Sequence, residues 1–511
     1  MRAPLIGFAA GLLAVGGFSP LNLYPLPVIG LAVLFGLWRA ALCSRSGFLT
    51  GLGFGLGFFG AGVSWIYVSL AVYGGMAGWL AGLATLLFCL VLALFPAIVG
   101  AIQARWRGHE HARLLLLIPA LWVLLEWTRG WFFTGFPWLA VGYSQVPDSP
   151  LAGYAPLFGV YGVSFMAALA ASLLAWSARH RRNRSLLLWG LCGTLAVAAG
   201  GQGLRQIDWT MPMDKPTSVT LMQGNISQDM KWQPEKVADS LVLYARLAAA
   251  YPAQLVILPE TALPMFESEL PPEYRARLRA IGLQHGGDIL TGLATGSLYG
   301  AYFNSVMSFG KAPSQVYHKV HLVPFGEFIP LKFLWGWVER VLHIPLSDFA
   351  RGSPTQTPLL IGGQRVAVNI CYEDAFGEEI IRQLPAASVL VNVSNDAWFG
   401  DSLMPWQHTQ MSQMRALETG RMMLRATNTG VTAIIDVRGE LMAYLPPFSQ
   451  GALRGTIQGY SGSTPYVRFG NLPVLLVCVL ALMILVPVGW KAKNASAIFN
   501  DASFEKAPRR H

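Results

Sequence analysis

The sequence predicts a membrane protein in which a bundle of eight transmembrane α-helices carries one external α/β domain. Three observations predict this fold class. Of the 511 residues, 53% are hydrophobic and only 13% are charged, which is too apolar for a water-soluble chain. Several apolar stretches reach about 20 residues, the length at which a helix spans a bilayer. One long internal segment is instead polar, with strand-like runs alternating with helical ones.

Eight apolar segments are candidate spans. They cover residues 4–18, 25–42, 48–71, 77–101, 114–125, 156–178, 186–199 and 472–490. The first has the single leading arginine of a signal peptide, but no small-residue cleavage site stands out and further spans follow closely, so we expect it to be retained. The predicted organisation is seven transmembrane helices in residues 1–205, an external domain in 215–462, an eighth helix in 470–490 and a cytoplasmic tail in 491–511.

The distribution of lysine and arginine predicts the orientation, because cytoplasmic loops carry an excess of both. The basic residues cluster around the ends of spans two, four and six and after span eight. They are Arg39, Arg45, Arg105, Arg107, Arg113, Arg179, Arg181, Arg182, Arg184, Lys491, Lys493, Lys506, Arg509 and Arg510. The alternate loops contain only Arg129, so both termini are predicted to be cytoplasmic. The formal net charge of +10 reflects this bias, and no basic face with interleaved aromatics predicts nucleic-acid binding.

The external segment has the pattern of an α/β domain. Runs rich in Val, Ile and Leu occur at 218–225, 254–260, 288–296, 365–373, 388–396 and 430–437. Helical patterns occur at 234–250, 272–285 and 406–427. Alternating strands and helices predict a sheet covered by helices, and such sheets build sites where their strands end.

Several common site motifs are missing or misplaced. A G-x-G-x-x-G spacing occurs at Gly55, Gly57 and Gly60, but it lies inside the third span, where it predicts close helix packing. Walker, H-E-x-x-H and C-x-x-C motifs are absent from the sequence. The sequence therefore predicts neither a metal nor a cofactor.

Cys371 differs from the other four cysteines, which lie in or at the ends of predicted spans. An external compartment normally pairs cysteines, and this one has no partner in its domain. Taken alone, it is either a reactive thiol or a small buried strand residue.

A nucleophilic thiol needs a base for its proton and a cation for the oxyanion that forms on acyl attack. Lys319 lies in an apolar, aromatic run, and Glu327 follows it beyond a Pro-Phe-Gly turn. Glu260 ends the run LVILPE. Lys319 and Glu260 also have plainer interpretations. The lysine could be a solvent-facing residue on an edge strand, and Glu260 could be a loop carboxylate near the start of the next helix.

Three segments in chain order, LPET at Glu260, HKVHLVPFGE at Lys319 and ICYED at Cys371, resemble the Glu-Lys-Cys motifs of the carbon-nitrogen hydrolase (nitrilase) superfamily. The resemblance covers essentially the whole external domain and implies a nitrilase-like αββα sandwich. It implies Glu260 as general base, Lys319 as the oxyanion cation, Cys371 as the thioester carrier and Glu327 as a second carboxylate that orients Lys319 or Glu260.

The resemblance also marks five supporting positions. Tyr372 and Glu373 match the continuation of the cysteine motif. Trp232, Asn304 and Trp398 match substrate-pocket positions, although packing or a turn would equally explain them.

Joined to membrane spans, the chain resembles the branch of this superfamily that N-acylates bacterial lipoproteins at the inner membrane. This implies phosphatidylethanolamine as the acyl donor, a diacylglyceryl apolipoprotein as the acceptor, a periplasmic catalytic domain and a monomer. The alternatives are a membrane-tethered amidase that uses water and, in another class, a transporter with an external binding domain.

Two further features predict contact with lipid. Phe333, Trp335 and Trp337 lie in an aromatic stretch that predicts either a lid dipping into the outer leaflet or a core-packed helix. Glu126 and Arg129, three residues apart at the end of span five, predict an ion pair or a headgroup site.

Overall fold

A computed structural model describes residues 2–41, 43–106, 108–228, 234–335 and 348–485. In these residues, every predicted span coincides with a helix. The apolar helices are Arg2–Val15, Pro25–Arg39, Ser44–Gly62 continued by Ile66–Tyr73, Gly78–Arg105, Glu110–Arg129, Pro150–Arg179, Arg184–Leu204 and Leu472–Leu485. Four are long and apolar enough to cross a membrane, and a fifth span results if the pair bent by 56° counts as one. The lengths therefore support four or five spans directly and leave the predicted count of eight open.

Three glycines of the third helix were predicted to allow close packing against neighbouring helices, and two of them do so. A Cβ on Gly55 would lie 2.6 Å from the Cα of Ala93, and one on Gly57 would lie 2.2 Å from the carbonyl oxygen of Phe8. Gly60 meets nothing within 4 Å, so for this residue the packing interpretation is wrong.

Residues 210–462, here called the external domain because they lie outside the helical bundle, contain two six-stranded sheets. In chain order the strands are β1 Thr210–Gln223, β2 Leu255–Ile257, β3 Asp288–Gly296, β4 Tyr302–Gly310, β5 Val316–His318, β6 Leu359–Ile361, β7 Gln364–Ile370, β8 Val389–Ser394, β9 Met423–Thr427, β10 Thr432–Ile435, β11 Leu441–Leu445 and β12 Gly451–Gly462. One sheet has the order β12-β1-β2-β3-β4-β5 and the other β11-β10-β9-β8-β7-β6. Strands β1 to β3 are parallel, as are β7 to β9.

Four layers result from the way these sheets are covered. The inner faces of both sheets form one core, with Leu221 and Ile257 on one side and Val368 and Val391 on the other. Helices Pro234–Ala250 and Pro272–Gln284 cover the first sheet. Helix Met404–Thr419 packs on the outer face of the second. The arrangement is the αββα sandwich that the resemblance implies.

The helix predicted over 406–427 is wrong for residues 420–427. It ends at Thr419, because Gly420 takes a left-handed conformation with φ of 63°, and the chain turns into β9. The pattern was misleading because β9 carries the buried Arg425, which is untypical of a central strand. We call Met404–Thr419 the docking helix.

The docking helix joins the external domain to the membrane helices. All its residues except Trp406 are buried, although many are polar. Gln407 accepts a hydrogen bond from Nε1 of Trp138 at 2.8 Å. Glu418 accepts one from the backbone N–H of Val160 at 2.6 Å, next to a break in the helix at Gly159. Buried polar groups need such partners, so these contacts fix the position of the domain on the bundle.

Residues 130–145, here called the membrane loop, connect two apolar helices and are shaped by the predicted charged residues. Arg129 donates from Nη1 to the carbonyl oxygens of Phe136 and Trp138 at 2.6 and 2.5 Å. Glu126 accepts from the N–H of Val141 at 2.8 Å. Both side chains therefore bind the backbone of the loop.

Candidate active site

Cys371 lies immediately after β7, at the first position of a short 3-10 turn, Cys371–Ala375. Its φ is 52°, a left-handed value that is uncommon for any residue with a side chain. Such conformations persist only where the surroundings impose them, and they concentrate at functional sites. The turn is buried, and Cys371 within it is 8% exposed.

Lys319 follows β5 directly and lies between two carboxylates. Its Nζ is 3.3 Å from Oε1 of Glu260 and 3.0 Å from Oε1 of Glu327. The lysine is 1% exposed, so the ammonium depends on these partners for the solvation it has lost. Three of the predicted residues are therefore brought into one cluster.

Asn304, on β4, holds the two carboxylates in place. Its Nδ2 donates to Oε1 of Glu260 and to Oε1 of Glu327, both at 2.7 Å. The other oxygen of Glu260 accepts from the backbone N–H of Asn395 at 2.9 Å. The sequence marked Asn304 only as a pocket position, whereas the geometry makes it the link between both acids.

The charges of the cluster control the protonation of the thiol. Burial opposes the charge on Lys319, but Glu327 and Glu260 outweigh it and raise the pKa of the ammonium. Burial and the nearby Glu260 raise the pKa of the Cys371 thiol, and Lys319 only partly offsets them. The resting nucleophile is therefore a neutral thiol beside a cation, and its reaction requires transfer of the proton to a base.

Glu373 connects the cysteine turn to the strand of the lysine. Its Oε2 accepts from the N–H of Ile370 at 2.6 Å, and its Oε1 accepts from the N–H of Val320 at 2.6 Å and of His321 at 3.1 Å. The hydroxyl of Tyr317 adds a further donor at 3.1 Å. Since Ile370 precedes Cys371 and Val320 follows Lys319, this carboxylate sets the spacing between nucleophile and cation.

Acidification should weaken this connection. Burial raises the pKa of Glu373 to about 7, against hydrogen bonds from Ile370 and Val320 that lower it. A proton on a carboxylate surrounded by donors removes an acceptor, so we expect the turnover rate to fall as the pH drops through about 7. Between this value and the ordinary 4.5, the Glu373 carboxylate binds its proton more tightly in the folded chain than in the unfolded chain, so protonation of this group favours folding and does not lower the rate by unfolding the protein.

Rate and melting temperature measured together from pH 5.5 to 8.5 check this. Glu418 also has a pKa raised to about 7 by burial, against Arg415, so a variant is needed to assign the effect. Glu373→Gln should be slower than the native chain at pH 8 and should lack the acid limb. An unchanged limb in this variant would show that another group is responsible.

Tyr372 and Trp398 extend from the site to the membrane helices. The hydroxyl of Tyr372 donates to the carbonyl oxygen of Gly135, in the membrane loop, at 2.8 Å. The ring of Trp398 lies edge-on to Tyr73, with centroids 6.4 Å apart. Both predicted positions therefore border the junction between the external domain and the bundle.

The remaining predicted positions fall near or beyond the described residues. Trp232 and Trp337 lie outside them, and Trp335 is described only in its backbone. Phe333 is 83% exposed, so it does not pack into the core.

Sequence reasoning missed a set of buried polar residues behind the cysteine turn. They are Asn392, His408, Ser412 and Arg425. Directly or through Arg425, they contact Asp396, at which the strand-like run predicted at 388–396 ends. Asp374, which had no role from the sequence, is bonded to the hydroxyl of Ser412 and lies 3.8 Å from Nη1 of Arg425. The sequence contained one signal for these residues, the high polar content of the docking helix. This content is also typical of a solvent-exposed helix, so it becomes informative only once the burial of the helix is known.

Comparisons with known proteins agree with this architecture. The family model for the apolipoprotein N-acyltransferase N-terminal domain matches residues 10–173, and the carbon-nitrogen hydrolase model matches residues 218–466. An apolipoprotein N-acyltransferase of Nitrosomonas europaea is 52% identical over 482 residues, which cover 94% of this chain and 96% of the relative. Proteins of the same name from Chromobacterium violaceum and Methylococcus capsulatus are 45% and 43% identical, covering 95% and 97% of this chain and 93% and 98% of their own lengths. The chain therefore belongs to the apolipoprotein N-acyltransferase family.

Proposed function

We propose that the chain transfers a fatty acyl group from a phospholipid, through a thioester on Cys371, to the N-terminal amine of a diacylglyceryl apolipoprotein. The observation that carries this proposal is the hydrogen bond from Tyr372 to Gly135. The residue next to the nucleophile rests on a loop between two apolar helices, so the reactive sulfur lies at the membrane face of the domain. A small soluble amide would not require this position, whereas a lipid ester would.

In the first half-reaction, Glu260 takes the proton from the Cys371 thiol as the sulfur attacks the ester carbonyl carbon. The carbonyl oxygen becomes an oxyanion, which Lys319 stabilises. When the tetrahedral intermediate collapses, the ester C–O bond breaks and Glu260 returns the proton to the leaving alkoxide. The products are an acyl thioester on Cys371 and a lysophospholipid.

In the second half-reaction, the amine of the acceptor attacks the thioester carbonyl. Glu260 takes a proton from the attacking nitrogen, Lys319 again stabilises the oxyanion, and the C–S bond breaks. The released thiolate regains its proton from Glu260. Two substrates that use one cysteine in turn give ping-pong kinetics.

The donor under this proposal is phosphatidylethanolamine, which gives up its sn-1 chain. The enzyme acts as a monomer in the bacterial inner membrane, with eight spans, a periplasmic catalytic domain and cytoplasmic termini. The alternating distribution of basic residues in the loops supports this orientation. The exposed Phe333 supports the proposal that this side chain faces lipid, while residues 336–347 of the predicted lid lie outside the described part of the chain.

Mass spectrometry of a model diacylglyceryl lipopeptide, incubated with the protein and phosphatidylethanolamine, tests the transfer. We expect one acyl mass on the N-terminal amine and an equal amount of lysophospholipid. A peptide that gains no acyl mass would contradict the transfer and favour the alternative, a membrane-tethered amidase that uses water as acceptor. A peptide with a blocked N-terminus is the matched control. With this peptide, the enzyme should accumulate the thioester on Cys371 and release no acylated product.

A further inference from the structure

The carbonyl oxygen of Cys371 is bound by two side chains that do not belong to the reacting cluster. Nε2 of His408, on the docking helix, lies 3.1 Å from this carbonyl oxygen, and Nδ2 of Asn392, on β8, donates to it at 3.3 Å. A carbonyl oxygen only accepts, so Nε2 of His408 carries a proton and donates. Two elements distant in the chain therefore meet at one backbone atom of the nucleophile.

His408 is itself fixed by a buried chain of charged groups. Its Nδ1 lies 3.0 Å from Oδ1 of Asp396, whose Oδ2 accepts from Nη2 of Arg425 at 2.8 Å. Burial by itself raises the pKa of Asp396, but Arg425 and His408 bring it below its usual value, so the group is a carboxylate. All three side chains are fully buried. The ring thus has an acceptor at each nitrogen and one possible orientation.

We propose that His408 is a positioning residue that holds Cys371 in its left-handed conformation. The peptide between Cys371 and Tyr372 is planar, so fixing its carbonyl oxygen also fixes the direction of the Tyr372 N–H and the placement of the turn. Without the hydrogen bond from His408, only the longer bond from Asn392 holds this oxygen, so the residue relaxes toward the more favourable negative φ and the sulfur moves away from Glu260 and Lys319. A displacement of this kind costs rate without removing any reacting group.

The position of His408 also ties the nucleophile to the membrane bundle. Its ring lies 5.5 Å from the ring of Trp138 in the membrane loop, and Gln407, the preceding residue, binds Trp138 and the carbonyl oxygen of Gly62. Successive residues of the docking helix therefore hold the membrane loop and the cysteine turn. A role for His408 in positioning explains why this helix is polar yet buried.

The inference rests on Cys371 as the nucleophile of the proposed function, but its test does not require acyl transfer. Alkylation of Cys371 by iodoacetamide at fixed pH, followed on the peptide that contains it, reports the state of the thiol directly. Gln413→Ala is the matched control, because Gln413 is on the same helix, is buried and donates to the carbonyl oxygen of Gly439 at 2.7 Å, away from the site.

We expect His408→Ala to lower kcat by about 100-fold with KM nearly unchanged. Alkylation of Cys371 should become faster than in Gln413→Ala, because the sulfur leaves Glu260, which raises the pKa of the thiol more than Lys319 lowers it. His408→Gln, which keeps one donor for the Cys371 carbonyl, should bring both rates part of the way back to the native values. If His408→Ala fails to fold, Asp396→Asn replaces it and should change the same two rates in the same directions by less. Equal rates for the His408 or Asp396 variant and the control would overturn the proposal, while faster alkylation in a chain that proves inactive as an acyltransferase would leave it standing.

Discussion

A chain in which alanine replaces Cys371 is expected to lose acyl transfer while keeping its fold. No other described group in the cluster can form a thioester, so the loss should reach a factor of about 10,000 or more, as in other enzymes stripped of a covalent nucleophile. The measurement is acylated lipopeptide by mass spectrometry, together with the mass of the intact protein after incubation with phospholipid alone. An added acyl mass on the alanine variant would contradict the assignment.

Glycine at the same position separates the chemical role of Cys371 from its backbone conformation. Cys371→Gly should be as inactive as Cys371→Ala, but glycine adopts a φ of 52° without the steric cost that alanine pays. We expect the glycine variant to be more stable than the alanine variant by about 1 kcal/mol. This net value is the cost of a left-handed residue that carries a Cβ, reduced by the greater entropy of glycine in the unfolded chain. Denaturation of both in the same detergent checks this, and a more stable alanine variant would show that the turn is not strained.

The parts of the fold that the sequence predicts well are those with strong local periodicity. The strand predicted at 288–296 and the helix predicted at 234–250 coincide with β3 and with Pro234–Ala250. β12, Gly451–Gly462, was not predicted, because its glycines and polar residues resemble a loop. It is a strand because it pairs along the length of β1, which precedes it by more than 200 residues, and such a partner leaves no local trace.

The candidate site divides in the same way. Glu260, Lys319 and Cys371 follow the ends of strands, where the sequence pattern and the chemistry both draw attention to them. Asn304 lies within β4, and its bonds to two carboxylates depend on the folding of residues 44 and 23 positions away. His408 lies on the docking helix, which is covered by the second sheet on one side and by the membrane helices on the other. This burial depends on contacts that are distant in the chain, so the local sequence pattern did not indicate a role for His408.

Replacing Glu260 with glutamine is expected to slow thioester formation by about 100- to 10,000-fold, the range for loss of a general base. Glutamine has the shape of glutamate but carries an amide NH2. In one orientation this group meets the donors of Lys319 and Asn304, and in the other it meets the N–H of Asn395, so a hydrogen bond is lost either way. Glu327→Gln is the matched control, since Glu327 contacts the same lysine and the same asparagine. It should cost less, because this carboxylate supports the charge of Lys319 without receiving the proton of the thiol.

The same variant distinguishes a base from a merely structural acid, because its two effects on Cys371 have opposite signs. Glu260 raises the pKa of the thiol, so Glu260→Gln should lower it and increase the thiolate fraction at a given pH. Alkylation by iodoacetamide should then become faster in Glu260→Gln while acylation by phospholipid becomes slower. If both rates fell together, Glu260 would be holding the site in shape and not accepting the proton. Faster alkylation together with slower acylation would show instead that Glu260 transfers the proton. A cysteine that ionises easily but has no base beside it cannot return a proton to the leaving lysophospholipid.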